Sequence, residues 1–393
     1  MSVDFPVVTV VEGEAEITIP DPSRYKGSKA PVFYNPRMEV SRDIDVLALE
    51  VYGKGLGRSV AICEPLTGCG VRGVRLVMEV EGVERAVLND INPYASSLAE
   101  LNVKRNKLQG KIEVFCEDAN LLLSRYAAPS KRFDYVDVDP FGSPVTYLDS
   151  AMRTLRGGGL LALTATDTAP LYGVHPKACL RKYGGKPLRT EYHRELGLRI
   201  LAGHLVASAA KHDMKVTPVF SYSVDHYVRV YAILSHSARE ADDSLGRLGY
   251  ILHCFNCLHR ETFQGLAPFK SPKCPECGSN LRYAGPLWLG QLSDKDFCEK
   301  MLKELEKRRF SSKRRIGKLL RLVDAEREAP LTYYVTDFIC DKYGWPIPPL
   351  RRVIDALKRG GFTACKTHFH TRGVKTNAQA REIIQIVRSA LEE

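Results

Sequence analysis

Several features that would place this 393-residue chain in a membrane or outside the cell are missing from its sequence. No apolar run reaches the ~18–20 residues that a membrane-spanning helix needs. The N-terminal segment lacks the basic stretch followed by an apolar one that marks a secretory signal. Low-complexity tracts and internal repeats are also missing. We therefore expect a globular protein of the cytoplasm, without a membrane partner.

A purely disulfide-bonded framework is excluded as well, because the number of cysteines, 11, is odd. Four of them form two Cys-x-x-Cys pairs: Cys254, Cys257, Cys274 and Cys277. In a reducing compartment this spacing predicts metal ligation. Four thiolates complete a tetrahedral site, so we predict a structural Zn²⁺ that takes no part in catalysis. His253 and His259 are expected to be neighbours of the site and not ligands.

The charge balance is strongly basic, with a formal net charge of +11 at pH 7. A surplus of this size favours a polyanionic partner such as a nucleic acid. The densest basic segment has no acid and eight basic residues: Lys307, Arg308, Arg309, Lys313, Arg314, Arg315, Lys318 and Arg321. Such a run is either a solvated helix face or a surface that contacts phosphates.

Short β-branched runs alternate with helical patterns from about residue 59 onward. The predicted strands are 59–63, 85–88, 111–116, 133–138 and 159–164, with a terminal antiparallel hairpin formed by 215–222 and 227–235. The predicted helices between them are 71–81, 93–107, 144–155 and 191–211. This alternation predicts an α/β fold with a doubly wound, mostly parallel sheet, which binds ligands at the carboxyl ends of its strands.

The pattern changes after this region, so we predict two domains, 1–240 and 241–393. The second is expected to be a smaller α+β domain. It would hold the cysteine-bearing segment 249–285, a charged helix over about 292–328, and a winged-helix-like end over 330–393. Within that end we predict a helix from Leu350 to Arg359, a β-hairpin around Thr371 to Gly373, and a closing helix over 378–391.

A cofactor loop follows the first predicted strand. Gly68, Gly70 and Gly73 fit the G-x-G-x-x-G pattern, which lets a ligand approach the backbone at a helix N-terminus. Asp90, after the second strand, can accept hydrogen bonds from both hydroxyls of a ribose. Asp118, next to Ala119 after the third strand, is placed to accept from an adenine amino group. The pattern predicts a nucleoside cofactor, and NAD would require the same residues.

The fourth strand separates these cofactors, because it ends in an acid–proline–aromatic unit, Asp139 to Phe141. This unit suits methyl transfer to a planar amino nitrogen, whose lone pair is delocalised into the ring. A carboxylate that accepts a hydrogen bond from the amino group favours the attacking geometry and can take the released proton. We assign that role to Asp139, and stacking on the base to Phe141. Asp137 is a secondary candidate. Alternatively, Asp139 caps a helix and Phe141 is part of the core.

Taken together, the motifs resemble those of the archaeal and eukaryotic tRNA (guanine-N2)-dimethyltransferases that act at position 26. The similar blocks are Pro31–Met38, Ser41–Asp43, Gly70–Gly73, Asn89–Ile91, Asp137–Gly142, Thr164–Leu171, Cys179–Tyr183, Thr367–Phe369 and Gly373–Thr376. They cover nearly the whole chain in order, which makes the resemblance far more specific than any single motif.

The resemblance implies an S-adenosylmethionine-dependent methyltransferase that modifies the exocyclic N2 of guanine in tRNA. It implies that Arg42, Arg72, Asp90, Asp118 and Ala119 contact S-adenosylmethionine. It also implies that Asp139 is the catalytic acid residue and that Phe33 and Phe141 flank the target guanine. In a tRNA enzyme, the basic run and a C-terminal basic group are candidate phosphate contacts; the latter comprises Lys366, His368, His370, Arg372 and Lys375.

Three other functions stay open from the residues alone. The chain could methylate the amino group of adenine or cytosine in DNA or another RNA, because the chemistry of the acid–proline–aromatic unit is similar. It could be a zinc-stabilised RNA-binding module that has lost activity, although the glycine loop, Asp90 and Asp139 argue against this. An NAD-dependent enzyme is the weakest alternative, since hydride transfer does not require the acid–proline–aromatic unit.

Overall fold

The computed structural model describes residues 3–25, 29–224, 226–265 and 273–391. It begins with a hairpin and continues into a seven-stranded sheet. The strands of these two sheets are β1 (Val7–Glu12), β2 (Ala15–Pro20), β3 (Val60–Glu64), β4 (Val83–Asn89), β5 (Ile112–Phe115), β6 (Phe133–Val138), β7 (Leu155–Ala165), β8 (Met214–Val224) and β9 (Tyr227–His236).

The large sheet has the order β5-β4-β3-β6-β7-β9-β8. Strands β3 to β7 run parallel to one another, whereas β9 is antiparallel to both β7 and β8. All six residues of β6, at the centre of the sheet, are buried, as expected where helices cover both faces. The doubly wound, mostly parallel sheet and its terminal antiparallel hairpin are therefore confirmed.

Nine helices among the described residues pack around this sheet. They are α1 (Glu39–Leu56), α2 (Val71–Glu79), α3 (Pro93–Arg105), α4 (Ala119–Arg125), α5 (Leu148–Thr154), α6 (Thr168–Leu171), α7 (Pro176–Tyr183), α8 (His193–Ala210) and α9 (Ala238–Leu245). The helix predicted over 144–155 is shorter than expected. It begins as a 3₁₀ turn at Val145–Tyr147, and Leu155 is already extended because it pairs with β6.

The C-terminal part is α+β, as predicted. Its elements are β10 (Leu248–His253), β11 (Arg260–Gln264), β12 (Arg282–Trp288), α10 (Lys295–Lys307), α11 (Lys313–Ala325), β13 (Tyr334–Val335), α12 (Thr336–Tyr343), α13 (Leu350–Arg359), β14 (Ala364–Lys366), β15 (Gly373–Thr376) and α14 (Ala380–Ser389). The small sheets have the orders β11-β10-β12 and β13-β15-β14.

Two details of this part differ from the sequence-based prediction. The single charged helix over 292–328 is instead two helices, because the chain becomes extended at Arg308, whose guanidinium donates to the carbonyl of Glu79 at 2.7 Å. The predicted hairpin around Thr371 to Gly373 is wider, with β14 pairing with β15 from Ala364 to Thr376. The division into two domains and the winged-helix-like nature of the end remain predictions.

Three apolar clusters hold the fold together. The first joins the hairpin, α1, α2 and α3 to the sheet, and it also includes Met301 and Leu320 from α10 and α11. The second lies around α5 and α8 and extends to Trp288 in β12. A third is confined mainly to the C-terminal helices. Among the described residues, no helix is long and apolar enough to cross a membrane.

Candidate functional site

The carboxyl ends of the parallel strands bring most of the predicted site residues to one edge of the sheet. Glu64 is the last residue of β3, and Asp90 directly follows β4. Asp118 lies between β5 and α4, and Asp139 directly follows β6. Because parallel strands end on the same side, these carboxylates share one face, which is where open α/β sheets bind ligands.

The glycine loop after β3 has the backbone conformation that its sequence predicts. Gly68 and Gly70 have φ values of +56° and +77°, a region that side chains other than glycine rarely adopt, and Gly70 is the N-cap of α2. A Cβ atom at Gly70 would lie 3.0 Å from that of Ala99. The loop therefore presents bare backbone at the N-terminus of a helix.

Asp90 is hydrogen-bonded to this loop. One carboxylate oxygen of Asp90 accepts from the backbone N–H of Gly68 at 2.9 Å, and the other accepts from the N–H of Asn92 at 2.9 Å. Each oxygen retains a lone pair that can accept a further donor. Asp90 thus both positions the glycine loop and offers acceptors beside it.

Asp118 caps the helix that Ala119 begins. Its carboxylate accepts from the N–H groups of Asn120 and Leu121 at 2.9 and 3.0 Å. The buried amide of Asn89 joins the ends of the neighbouring strands, since it donates to the carbonyls of Pro65 and Glu117 at 2.9 and 3.0 Å. The loops that carry the predicted cofactor residues are therefore tied to one another.

The predicted catalytic acid is paired with the predicted cofactor arginine. The guanidinium of Arg72, at the start of α2, forms ion pairs with Asp139 and Asp45. It also lies 3.3 Å from carboxylate oxygens of Glu64 and Asp137. Arg72 is buried, whereas the side chain of Asp139 keeps 18% of its surface exposed. Asp139 is thus the member of this group that reaches the solvent-facing edge.

Two phenylalanine rings stand beside Asp139. The rings of Phe33 and Phe141 contact each other edge to face, with centroids 4.9 Å apart. Both are unusually exposed for large apolar side chains, at 38% and 78%. Phe141 is therefore not a core residue, which argues against the alternative interpretation of the acid–proline–aromatic unit. A pair of exposed rings suits stacking against a planar base.

Arg42 lies in a different set of ion pairs. Its guanidinium donates to both carboxylate oxygens of Glu12 at 2.5 and 2.6 Å, and Tyr34 donates to the same carboxylate at 2.8 Å. Arg75 extends these contacts to the acids of two helices. We call this set the N-terminal network: Glu12, Arg42, Asp43, Arg75 and Glu79. The predicted contact of Arg42 with the cofactor stays a prediction.

The four cysteines of the Cys-x-x-Cys pairs come together. Their sulfur atoms lie within 4.8 Å of one another, and Cys254–Cys277 and Cys257–Cys274 are each 3.5 Å apart. None of these four cysteines forms a disulfide bond. Separations of this size suit a tetrahedral Zn²⁺ with Zn–S bonds of about 2.3 Å. In the part of the chain that the structure describes, neither His253 nor His259 joins this group.

Comparison with known proteins decides the family. The family model described as N2,N2-dimethylguanosine tRNA methyltransferase matches residues 13–388. A tRNA (guanine(26)-N(2))-dimethyltransferase of Methanothermobacter thermautotrophicus is 41% identical, with 98% of this chain and 100% of the relative covered. This chain belongs to the N2,N2-dimethylguanosine tRNA methyltransferase family.

Other members agree with this assignment. A tRNA (guanine(26)-N(2)/guanine(27)-N(2))-dimethyltransferase of Aquifex aeolicus is 38% identical, with 96% of this chain and 94% of the relative covered. Among solved structures, Trm1 from Pyrococcus horikoshii in complex with S-adenosyl-L-methionine has a TM-score of 0.86 and 36% identity, covering 97% of this chain and 99% of that one. The fold of the dimethyltransferase family therefore extends over almost the whole chain.

Sequence reasoning missed much of what surrounds Arg72 in this family member. Arg229, in β9, is fully buried and lies 2.5 Å from carboxylate oxygens of both Asp45 and Asp137. Tyr135 donates to Asp137 at 2.6 Å. We call the charged part the catalytic-edge network: Asp45, Glu64, Arg72, Asp137, Asp139 and Arg229. Charged residues within otherwise apolar elements, as at positions 45 and 229, were the available clue.

The catalytic-edge network contains more carboxylates than arginines, and this imbalance shifts their protonation. Burial raises the pKa of Glu64 to about 8, and it also raises the pKa of Asp45. Burial opposes ionisation of Asp137 as well, but Arg229 and Arg72 together hold its pKa below the ordinary value. Asp137 is fully buried and committed to these partners, which makes it a poor base for an external substrate.

Proposed function

We propose that this chain transfers methyl groups from S-adenosylmethionine to the exocyclic N2 of guanine 26 in tRNA, giving N2-methylguanosine and N2,N2-dimethylguanosine. Family membership provides the reaction class and the substrate. One structural observation supports the assignment to this edge of the sheet. Asp139 lies beside the two exposed rings of Phe33 and Phe141 and contacts Arg72 of the glycine-loop helix.

The residues of the glycine loop fit the proposed cofactor. The bare backbone at Gly68 and Gly70 allows close approach, and Asp90 offers acceptors for ribose hydroxyls. Asp118 and Ala119 would lie at the adenine. Arg42 and Arg72 are the cations that we assign to the methionine carboxylate. When bound, S-adenosylmethionine supplies an electrophilic methyl group.

Asp139 is the proposed hydrogen-bond acceptor and base. It would accept from the guanine amino group, favour the attacking geometry of the nitrogen, and take the proton that the nitrogen releases. Phe33 and Phe141 contact each other in this structure, so the two rings would separate to flank the base. Stacking on an aromatic side chain is worth about 1–3 kcal/mol per base. That energy offsets part of the few kcal/mol needed to turn a base out of its stack.

The cysteine cluster is proposed to hold Zn²⁺ for stability alone. Four thiolates leave no coordination position for a substrate, and the cluster belongs to the small sheet around β10. The C-terminal part, with its basic residues, is the proposed tRNA-binding domain. We further propose that the protein acts in the cytoplasm.

Transfer of labelled methyl from S-adenosylmethionine to an unmodified tRNA transcript, with nucleoside analysis, tests the proposal. We expect N2-methylated guanosine at position 26. A transcript with adenosine at position 26 and a DNA duplex serve as controls and should remain unlabelled at the corresponding positions. Methylated adenine or cytosine, or labelling of the duplex, would contradict the proposed target.

A further inference from the structure

A second cleft lies apart from the glycine loop, where three parts of the chain meet. Its volume is about 370 Å³, within the range of natural ligand sites. His193 is the first residue of α8, and Arg189 lies in the segment before it. Phe255 comes from the turn between Cys254 and Cys257. The lining also includes Thr190 and Glu191 of that segment, and Val335, Phe338 and His370 of the C-terminal part.

The apolar part of the lining is aromatic and exposed. Phe255 and Phe338 keep 45% and 40% of their surface exposed, although both line the same cleft. Val335 is buried and belongs to the second apolar cluster. Two exposed rings around an apolar floor provide a surface for a flat, unsaturated ring, in the same way that Phe33 and Phe141 do at Asp139.

The polar part of the lining favours an anion. Neither Arg189 nor Arg194 makes an ion pair with any residue in the described ranges, whereas the nearby acids Glu191 and Asp337 are already paired with Arg260 and Arg372. Burial lowers the pKa of His370, and the positive charge of Arg194 lowers it further. The arginines around the cleft therefore outnumber its acids, and the formal charge there is positive.

Thr190 adds an unsatisfied polar group to this lining. It is only 6% exposed, and its hydroxyl has no hydrogen-bond partner among the described residues. A buried hydroxyl without a partner carries a free-energy cost, so a polar ligand edge that reached it would be favoured. Because that oxygen is buried, the lining would have to open before Thr190 could bind a ligand. The accessible features of the cleft are its stacking surfaces and its positive charge.

The cleft is connected to the catalytic edge by direct contacts. Gly142, next to Phe141, exchanges hydrogen bonds with Thr166 at 2.7 and 2.9 Å. The short helix α6 follows, and the ring of Tyr172 at its end contacts the ring of His193, with centroids 5.0 Å apart. His193 lines the cleft, so a chain of direct contacts links Phe141 to it.

We propose that this junction cleft binds an unstacked nucleotide of the tRNA other than the target guanine, with its base between Phe255 and Phe338 and its phosphate near Arg189. This inference rests on the proposed function, because it assumes that the substrate at the catalytic edge is tRNA. The cleft is formed by three separate parts of the chain. A nucleotide bound there would orient the RNA while guanine 26 lies beside Asp139.

Binding of an unmodified tRNA transcript to the full chain tests this proposal. Phe338→Ala should raise the Kd for tRNA about 5- to 150-fold, the range for loss of one base-stacking aromatic, while the Kd for S-adenosylmethionine stays unchanged. Ile347→Ala removes a comparably exposed apolar side chain, 48% exposed, from the same part of the chain and is the matched control. Phe338→Tyr keeps the ring and should restore binding to within about twofold.

Charge is tested separately by the salt dependence of the same Kd. Arg189→Gln should reduce the slope of log Kd against log salt by about 0.7–0.9, the effect of one phosphate contact. Lys111→Gln is the control, because Lys111 precedes β5 at the amino ends of the parallel strands, away from the catalytic edge. This variant should leave the slope unchanged. Phe338→Ala should weaken binding without changing the slope.

The proposal is overturned if Phe338→Ala binds tRNA as tightly as Ile347→Ala. An unchanged slope for Arg189→Gln would overturn the assigned phosphate contact. Failure of the proposed function would look different. It would appear as an absence of methyl transfer by the unaltered chain. The binding comparison does not depend on methyl transfer, so the two failures can be told apart.

Discussion

The protein contains two buried sets of arginines and carboxylates that differ in one respect. The N-terminal network is closed around Arg75, which is fully buried and whose acid partners are 1–3% exposed. The catalytic-edge network is equally buried at Arg229 and Asp45, but it ends in Asp139, which is 18% exposed. The same chemistry thus serves structure where it is enclosed, and can serve catalysis where one carboxylate emerges beside two aromatic rings.

Removing the emerging carboxylate should have the largest effect. We expect Asp139→Ala to lower the single-turnover rate of methyl transfer at least 10²- to 10⁴-fold, the usual contribution of a general base. Binding of S-adenosylmethionine and tRNA should persist, because the glycine loop and the basic surfaces are unchanged. Asp149→Ala, which removes an exposed carboxylate on α5, is the control. Substantial residual turnover would place the base elsewhere.

Replacing the fully buried arginine of each network compares the two networks directly. Arg229→Met and Arg75→Met should each lower the free energy of unfolding by about 3–5 kcal/mol, because carboxylates are left buried without a cation. Only Arg229→Met should also lower the rate per folded molecule, since Asp45 and Asp137 would then compete with Asp139 for Arg72. Denaturant unfolding and single-turnover kinetics measure the two effects. Equal loss of rate in both variants would refute the distinction, and the exposed Arg153→Met should change neither.

Substitution of a predicted cofactor residue should have a weaker effect. Asp90→Ala should raise the Kd for S-adenosylmethionine at least about tenfold, which corresponds to about 1.4 kcal/mol. The carboxylate of Asp90 holds the N–H of Gly68, so part of this effect arises from a loosened loop. Isothermal titration calorimetry is the appropriate measurement. A dissociation constant equal to that of the unaltered chain would remove Asp90 from the site.

The last expected effect is a change in the pH dependence of stability. Because burial raises the pKa of Glu64 to about 8, the folded state binds a proton there that the unfolded state releases near its ordinary pKa of 4.5. The stabilisation from Glu64 is therefore complete below that value and is lost as pH rises to about 8. Glu64→Gln should flatten this part of the profile of Tm against pH. An identical slope in both proteins would show that Glu64 titrates normally.

Local patterns in the sequence predicted much of the fold and the meeting of the four cysteines. Strand β6 and helix α13 have the predicted bounds, and the four cysteines meet as their spacing implied. Helix α1 was missed because charged residues such as Asp43, Asp45 and Glu50 are buried among its apolar ones. The helix therefore lacks the regular alternation of an apolar and a polar face that a periodicity argument detects.

Contacts between distant parts of the chain could not be predicted from one sequence. Arg229 and Asp45 are 184 positions apart, and nothing in the local pattern of either indicates the other. The break between α10 and α11 has the same origin, because Arg308 is held by a carbonyl 229 positions away. Asp90 beside the glycine loop was predictable, since Gly68 and Asp90 belong to one strand–helix–strand unit.

The packing of α10 and α11 against α1 also has a consequence for biosynthesis. Ribosomes deliver the N-terminal half first, at about 5–20 residues per second. The apolar surface that Met301, Ile316 and Leu320 cover stays open until residue 325 has emerged, several seconds after residue 240. During that interval the nascent chain presents a ready site for chaperones. A fragment released at residue 240 would keep that surface permanently, and its recovery from cells should depend on a C-terminal fragment supplied in trans.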